Sequence, residues 1–284
     1  MDKVNVKRGF GKALNTHGYG FQYSVLKLAQ ALFEQRETQW VFEAAEFPVQ
    51  VQGEGTRIDF VLRLRHGLPV YLLAECKRAN PALSNWCFAR APYVRRNRTT
   101  SEPLFIECVQ RDGSGVYASV CKGLHLEDAY HIALEVKSNK KGDPSGSARG
   151  AIEDAATQIC RGLNGIVEFA AENEQILSNQ TRTHFLPAIF TTAKVWVSGV
   201  DLGSADIESG NIDFEGTNLD EKPWVFYQYH LSPGIKHSYS STERPTTIGE
   251  LLDFEYVRTI AVVTASGIES FLRWSSDPDY YLVR

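Results

Sequence analysis

Residues 56–77, TRIDFVLRLRHGLPVYLLAECK, decide the predicted fold because they describe two strands joined by a short turn. Residues 56–64 alternate between apolar and other side chains, and residues 70–77 form an apolar run of the β type. Between them, residues 65–69 have the composition of a turn. The stretch therefore predicts a β-hairpin. On its first arm the alternation predicts two opposite faces, Ile58, Phe60 and Leu62 on one and Asp59, Val61 and Arg63 on the other.

The hairpin places three chemically active side chains near one another. Residues two apart on a strand share a face, so Glu75 and Lys77 point the same way, with Asp59 on the partner strand. Carboxylates and a strand-end carbonyl are the hard oxygen ligands that Mg²⁺ or Mn²⁺ prefers. We therefore expect Asp59, Glu75 and the backbone carbonyl of Cys76 to hold such an ion. Lys77 is expected to orient a water beside a scissile phosphate. The alternative is a structural ion pair between Glu75 and Lys77.

The order of elements around this hairpin resembles the PD-(D/E)XK nuclease superfamily, which has the restriction-endonuclease-like fold. An amphipathic helix over residues 19–35 precedes a strand over residues 39–51, then the strand with Asp59, then the strand with Glu75-Cys76-Lys77. The runs GYGFQYSVLKLA and ECKR look like the Mrr and Holliday-junction-resolvase branches. Members of those branches often carry a Glu on the first helix, where this chain has Gln22. The resemblance covers residues 15–80 well and residues 148–198 loosely.

This resemblance implies the fold and the activity that we expect. The fold would be α/β, a mixed central sheet flanked by helices. The activity would be that of a Mg²⁺- or Mn²⁺-dependent endonuclease acting on DNA in restriction, anti-phage defence or DNA repair. Residues 1–200 would form the nuclease-like core with an insertion at about residues 79–129. Residues 201–284 would form a β-rich C-terminal extension packed on the same domain.

A second Glu-x-Lys pair leaves the catalytic pair open. Glu135 and Lys137 also lie two apart on a predicted strand, and a predicted helix over residues 148–172 follows them. In one interpretation the first pair is catalytic, and the second pair flanks the site or forms an ordinary ion pair. In another, the second pair is catalytic and the first pair is structural. In a third, both pairs line one cleft from neighbouring strands. We favour the first, because Asp59 accompanies only the first pair. Gln158 on this helix and Gln22 on the first helix are further accessory candidates.

A basic stretch downstream of the hairpin is the candidate surface for nucleic acid. Its arginines alternate with aromatic residues, which suits phosphate contact with base or sugar stacking, although a solvated loop has the same composition. The expected nucleic-acid-binding residues are Arg78, Arg90, Arg95, Arg96, Arg98, Lys140 and Lys141.

Composition limits the alternatives. The formal net charge of −4 disfavours polyanion binding over the whole surface but allows a local basic groove. The five cysteines form no C-x-x-C pair, which disfavours a zinc site or a disulfide framework. No apolar run spans a bilayer and no signal-peptide core is present, so a cytoplasmic protein is expected. A homodimer or a partner protein is compatible with these features. The rival hypothesis is a non-catalytic nucleic-acid-binding or assembly subunit with a degenerate nuclease site.

Overall fold

A computed structural model describes most of the chain. The described residues are 3–51, 53–67, 69–92, 102–112, 115–126, 129–136, 150–173, 182–232, 234, 247–248, 252 and 256–277, with 102–112 and 115–126 described as backbone. The helices are α1 (Lys3–Thr16), α2 (Tyr19–Glu34), α3 (Gly150–Glu172) and α4 (Ile268–Ser275). The first strands are β1 (Trp40–Val51), β2 (Glu54–Leu64), β3 (Val70–Lys77), β4 (Asn85–Ala89), β5 (Glu102–Asp112) and β6 (Gly115–Leu126). The later strands are β7 (Ala129–Tyr130), β8 (Ile132–Val136), β9 (Arg182–Thr191), β10 (Lys194–Ser198), β11 (Leu219–Lys222), β12 (Trp224–His230) and β13 (Val257–Thr264).

The fold is mixed α/β with a mixed central sheet flanked by helices. The sheet runs in the order β1-β2-β3-β9-β13-β12-β7, and β5 joins β9 and carries β6 beside it. The predicted hairpin is present, since β2 and β3 are antiparallel with Phe60 opposite Ala74. Strand β3 is parallel to β9, and α3 lies between them in sequence and packs on both. The chain after residue 201 supplies β12 and β13 to this same sheet.

Helices cover both faces of the sheet and create two hydrophobic clusters. On one face Leu72 and Ala74 of β3 pack with residues of α2 and α4. On the other face Leu73 packs with α3. A second sheet, in the order β11-β10-β4-β8, adds side chains such as Trp86 to the cluster on the α3 face. Each fully buried Leu side chain contributes about 1.5–3 kcal/mol to folding stability relative to an exposed one. The burial of β3 side chains on both faces therefore fixes the position of this strand.

The predicted alternation on β2 is wrong at Ile58, because β1 and β2 change faces together at one position. Ile58 packs in the α3 cluster, whereas Phe60 packs in the α2 cluster. Opposite them on β1, Phe47 packs against the α3 cluster and Ala45 against the α2 cluster. Residues two apart share a face in a regular strand, so the backbone is distorted between them. The distortion lies at Glu46 on β1, whose φ is 50°, and at Asp59 on β2.

Candidate functional site

The predicted carboxylates meet where the hairpin opens. The ladder between β2 and β3 ends at the pair of Phe60 with Ala74, so the next residues, Asp59 and Glu75, lie beyond the last paired position. Beyond this point the Asp59 side chain, instead of a backbone carbonyl of β2, bonds to β3: its Oδ2 accepts a hydrogen bond of 2.7 Å from the Cys76 N–H. The pKa of Asp59 is raised by burial, against the lowering effect of that hydrogen bond. The structure thus brings Asp59 to the end of β3, beside Glu75 and Cys76.

Glu75 is the most buried carboxylate of the site. Its side chain is 3% exposed, and its Oε1 lies 2.8 Å from the Nζ of Lys77, which is 26% exposed. Its Oε2 is buried with no hydrogen-bond partner. Burial, followed by the charge of Asp59, raises the pKa of Glu75 to about 8, and the ammonium of Lys77 only partly opposes this. The site therefore disfavours a negative charge on Glu75 unless a further cation is bound.

Lys77 is held from two sides. Its Nζ donates to Glu75 and also to Oε1 of Gln158 on α3, at 3.0 Å. Gln158 was predicted as an accessory residue, and the structure brings it to the site. Because α3 packs across β3, Lys77 is positioned by the helix independently of Glu75.

Gln22 and Glu46 complete the site. Of the two, Glu46 was not predicted from the sequence. Gln22 on α2 is 4% exposed, and its Nε2 donates to Oε1 of Glu46 at 2.8 Å and to the backbone carbonyl of Asp59 at 2.9 Å. The charge of Glu46 raises the pKa values of both Asp59 and Glu75. Only the three-dimensional position of Glu46 connects it to the site, because its surroundings in sequence, EAAEFP, carry no motif.

Glu135 has a different environment. It lies on β8 of the second sheet and is 2% exposed, and its Oε1 accepts a hydrogen bond of 3.0 Å from the Ile152 N–H in the first turn of α3. The hypothesis that both Glu-x-Lys pairs lie on neighbouring strands is wrong, since β3 and β8 belong to different sheets. Lys137 lies outside the described residues.

The basic residues are only partly described. Arg78 directly follows β3, is exposed, and donates from Nη1 to the backbone carbonyl of Asn15 at the end of α1. Arg90 is exposed, with its guanidinium 5.8 Å from the ring centroid of Tyr130. The other candidates, Arg95, Arg96, Arg98, Lys140 and Lys141, lie outside the described residues.

The chemistry of the donor set fits a hard divalent cation. Asp59 and Glu75 are adjacent carboxylates, and the unpaired Oε2 of Glu75 is a buried oxygen of the kind that a cation stabilises. Burial raises the pKa of the Cys76 thiol, so the backbone carbonyl rather than the sulfur of Cys76 is the suitable donor. In the described part of the chain, no group of three or more His, Cys, Asp and Glu side chains is arranged to hold a metal.

Comparison of the chain with protein-family models, with characterised proteins and with solved structures found no match. Within the described residues, none of the helices is both long and apolar enough to cross a membrane.

Proposed function

We propose that this protein is a Mg²⁺-dependent nuclease that hydrolyses phosphodiester bonds, with DNA as its substrate, on a restriction-endonuclease-like core. The single observation that carries the proposal is the convergence of Asp59, Glu75 and Lys77 at the open end of the hairpin. Oδ2 of Asp59 accepts a hydrogen bond of 2.7 Å from the Cys76 N–H, and Oε1 of Glu75 lies 2.8 Å from Nζ of Lys77. Two acidic groups and an amine at one strand end are what metal-assisted phosphodiester hydrolysis requires.

Each residue has a role in this proposal. Asp59, Glu75 and the carbonyl of Cys76 would hold the ion. Once bound, the ion would supply positive charge beside the scissile phosphate and a more acidic water. Lys77 would orient the attacking water and face the phosphate. Gln158, 3.0 Å from Nζ, would keep the amine in place when Glu75 turns toward the ion. Such a nuclease would serve restriction, anti-phage defence or DNA repair.

The order of elements supports the same fold proposal. The helix α2, the strands β1, β2 and β3, the helix α3 and the strand β9 follow one another, and β3 and β9 pair in parallel. The additional strands β4 to β8 lie between β3 and α3. This arrangement favours Glu75 and Lys77 as the catalytic pair, because β3 rather than β8 is the strand that pairs with β9.

A second candidate function is a non-catalytic nucleic-acid-binding or assembly subunit. It is favoured by the ion pair between Glu75 and Lys77. It is also favoured because, among the described residues, no three His, Cys, Asp or Glu side chains are arranged to hold a metal. Both features are also expected of a nuclease before it binds its ion.

A cleavage assay on plasmid and linear DNA tests the proposal. With Mg²⁺ or Mn²⁺ we expect cleavage that EDTA abolishes and that Asp59→Asn, Glu75→Gln and Lys77→Ala each reduce by about 100-fold or more. The matched controls are Glu221→Gln and Lys194→Ala, which break an exposed ion pair of 3.0 Å on the second sheet and should cleave normally. If the folded wild type binds DNA but cleaves neither form with either metal, the second candidate is correct.

A further inference from the structure

We infer that Glu46 is the third acidic group of the cation site and that Gln22 is the residue that positions it. The inference rests on the proposed function and deepens it. Glu46 would act on a cation held by Asp59 and Glu75 without joining its ligand set, since these residues form no three-carboxylate metal group in the structure.

The backbone at Glu46 is the first observation. A φ of 50° lies in the left-handed region, which is costly for a residue with a Cβ atom. The other described non-glycine residue with positive φ, Arg36, lies in the ordinary place for it, directly after the C-cap of α2. Glu46 instead lies inside β1, at the point where β1 and β2 both change faces. The distortion therefore coincides with the candidate site.

The hydrogen bonds of Gln22 are the second observation. The buried Nε2 of Gln22 donates one hydrogen bond of 2.8 Å to Glu46 on β1 and another of 2.9 Å to the backbone carbonyl of Asp59 on β2. Both partners are acceptors, so position 22 requires a donor. A glutamate there would set a carboxylate against a carboxylate and a carbonyl oxygen. Gln22 is thus a positioning residue, and the acidic group that it positions is on β1.

The electrostatic surroundings are the third observation. Glu46 is linked through the Gln22 amide to the backbone carbonyl of Asp59, next to the candidate cation site. Its Oε2 lies 3.8 Å from Arg57, whose side chain is 70% exposed and therefore gives weak compensation. The Oε2 of Glu75 is buried with no hydrogen-bond partner, so an ionised Glu75 has no full compensation within the described residues. A divalent cation held by Asp59 and Glu75, with Glu46 outside the ligand set, would supply that compensation.

The affinity of the full chain for Mn²⁺ without DNA, measured by isothermal titration calorimetry, tests the inference independently of activity. We expect Glu46→Gln to weaken Mn²⁺ binding by about tenfold, as is usual when a group outside the ligand set is removed. Glu75→Gln should abolish binding. Gln22→Met, which removes both donors without adding charge, should weaken it as well. The control is Glu43→Gln on the same strand, which removes an exposed carboxylate that pairs with Arg63 at 3.0 Å and should leave the affinity unchanged.

A second variant separates charge from folding. Glycine adopts positive φ readily, so Glu46→Gly should fold at least as well as Glu46→Gln while it binds Mn²⁺ as weakly. Water-proton relaxation of the Mn²⁺ complex should show the same number of bound waters in the wild type and in Glu46→Gln. An additional bound water in the variant would make Glu46 a direct ligand and overturn the assigned role.

The outcomes distinguish the two proposals. Wild-type affinity in Glu46→Gln and Glu46→Gly, with loss of binding in Glu75→Gln, overturns the role of Glu46 and leaves the proposed function standing. Absence of Mn²⁺ binding by the wild type at millimolar concentration overturns the proposed function and the inference with it.

Discussion

Lys77 lies 2.8 Å from Glu75, yet Glu75 behaves as a carboxyl group that resists ionisation. Burial accounts for this, since the carboxyl is 3% exposed and its Oε2 has no partner. Removing an ionised group from water costs more than one neighbouring ammonium returns. Such a group stays protonated below its raised pKa and ionises when a cation binds or the pH rises, which makes Glu75 the residue through which metal and pH should act.

Glu75 should make stability depend on pH in the absence of metal. Its pKa is raised from an ordinary value of 4.5 to about 8 in the folded protein, so the folded state binds more protons than the unfolded state between these two pH values. The free energy of unfolding should therefore fall as the pH rises from about 4.5 to about 8. Denaturant unfolding in EDTA at pH 5, 6, 7 and 8 measures this. Asp59, whose pKa is also raised, adds to the trend at the acidic end.

The variant Glu75→Gln isolates this contribution. It cannot ionise, so its stability should vary less over the same pH range, whereas the exposed-pair control Glu221→Gln should follow the wild type. An equal pH dependence in Glu75→Gln and the wild type would show that Glu75 titrates normally. In the wild type, Mn²⁺ should stabilise more at pH 8 than at pH 5.5, because protons compete with the ion for the carboxylate.

Gln158→Leu should impair the chemical step while leaving metal binding intact. Gln158 contacts Nζ of Lys77 at 3.0 Å, so its removal leaves the amine with Glu75 as its remaining partner among the described residues. Misplacement of a positioned group by about 1 Å costs up to about 100-fold in rate, and we expect a loss of about 10- to 100-fold in kcat. Steady-state cleavage kinetics together with Mn²⁺ calorimetry measure the two effects separately.

Arg161→Ala is the control on the same helix. Arg161 lies one turn further along α3 and pairs with Glu54 at 3.2 Å on the surface. Its loss should change neither kcat nor Mn²⁺ affinity. If Gln158→Leu weakens Mn²⁺ binding as strongly as it lowers kcat, Gln158 supports the carboxylates rather than Lys77.

Local patterns predicted the hairpin and the side chains on β3 correctly because both depend on neighbours in sequence. Leu72 and Ala74 face α2 while Glu75 and Lys77 face α3, as the period of a strand requires. The pattern failed at Ile58, because β1 and β2 change faces together next to Glu46, and a pattern within one strand does not show this. Glu46 was missed for the same reason. Its role depends on Gln22, which is 24 residues away along the chain.

Glu135→Ala should destabilise the fold without affecting the metal. Its Oε1 accepts the Ile152 N–H at the start of α3, which would be left buried and unpaired. We expect a loss of about 1–3 kcal/mol in the free energy of unfolding. Glu135→Gln keeps an acceptor and should recover most of that loss. Denaturant unfolding measures stability, and Mn²⁺ calorimetry should give the wild-type affinity for both variants.

The cleavage activities of Glu135→Gln and Glu75→Gln decide which Glu-x-Lys pair is catalytic. If folded Glu135→Gln loses cleavage while Glu75→Gln retains it, Glu135 belongs to the catalytic pair and the assignment to β3 is wrong.

Gly165→Ala should destabilise the protein although alanine is the better helix former. A Cβ atom at Gly165 would lie 2.6 Å from Cβ of Val49 on β1, so α3 or β1 would have to move. Overpacking of this kind costs about 1–3 kcal/mol, more than the helix propensity returns. The glycine is thus a close-contact position between α3 and the strand that carries Glu46, and not a break in the helix, which runs unbroken from Gly150 to Glu172.

Gly9→Ala on α1 is the matched substitution with the opposite expected sign. A Cβ atom there meets no other atom within 4 Å, so the helix propensity should act alone and stabilise α1 by up to about 1 kcal/mol. In the double variant Gly165→Ala with Val49→Gly, the loss of stability should be smaller than the sum of the two single losses, because glycine lacks the Cβ atom that makes the 2.6 Å contact. Equal effects of Gly165→Ala and Gly9→Ala on unfolding would mean that α3 does not press against β1, and the position of Gln158 over Lys77 would then need another cause.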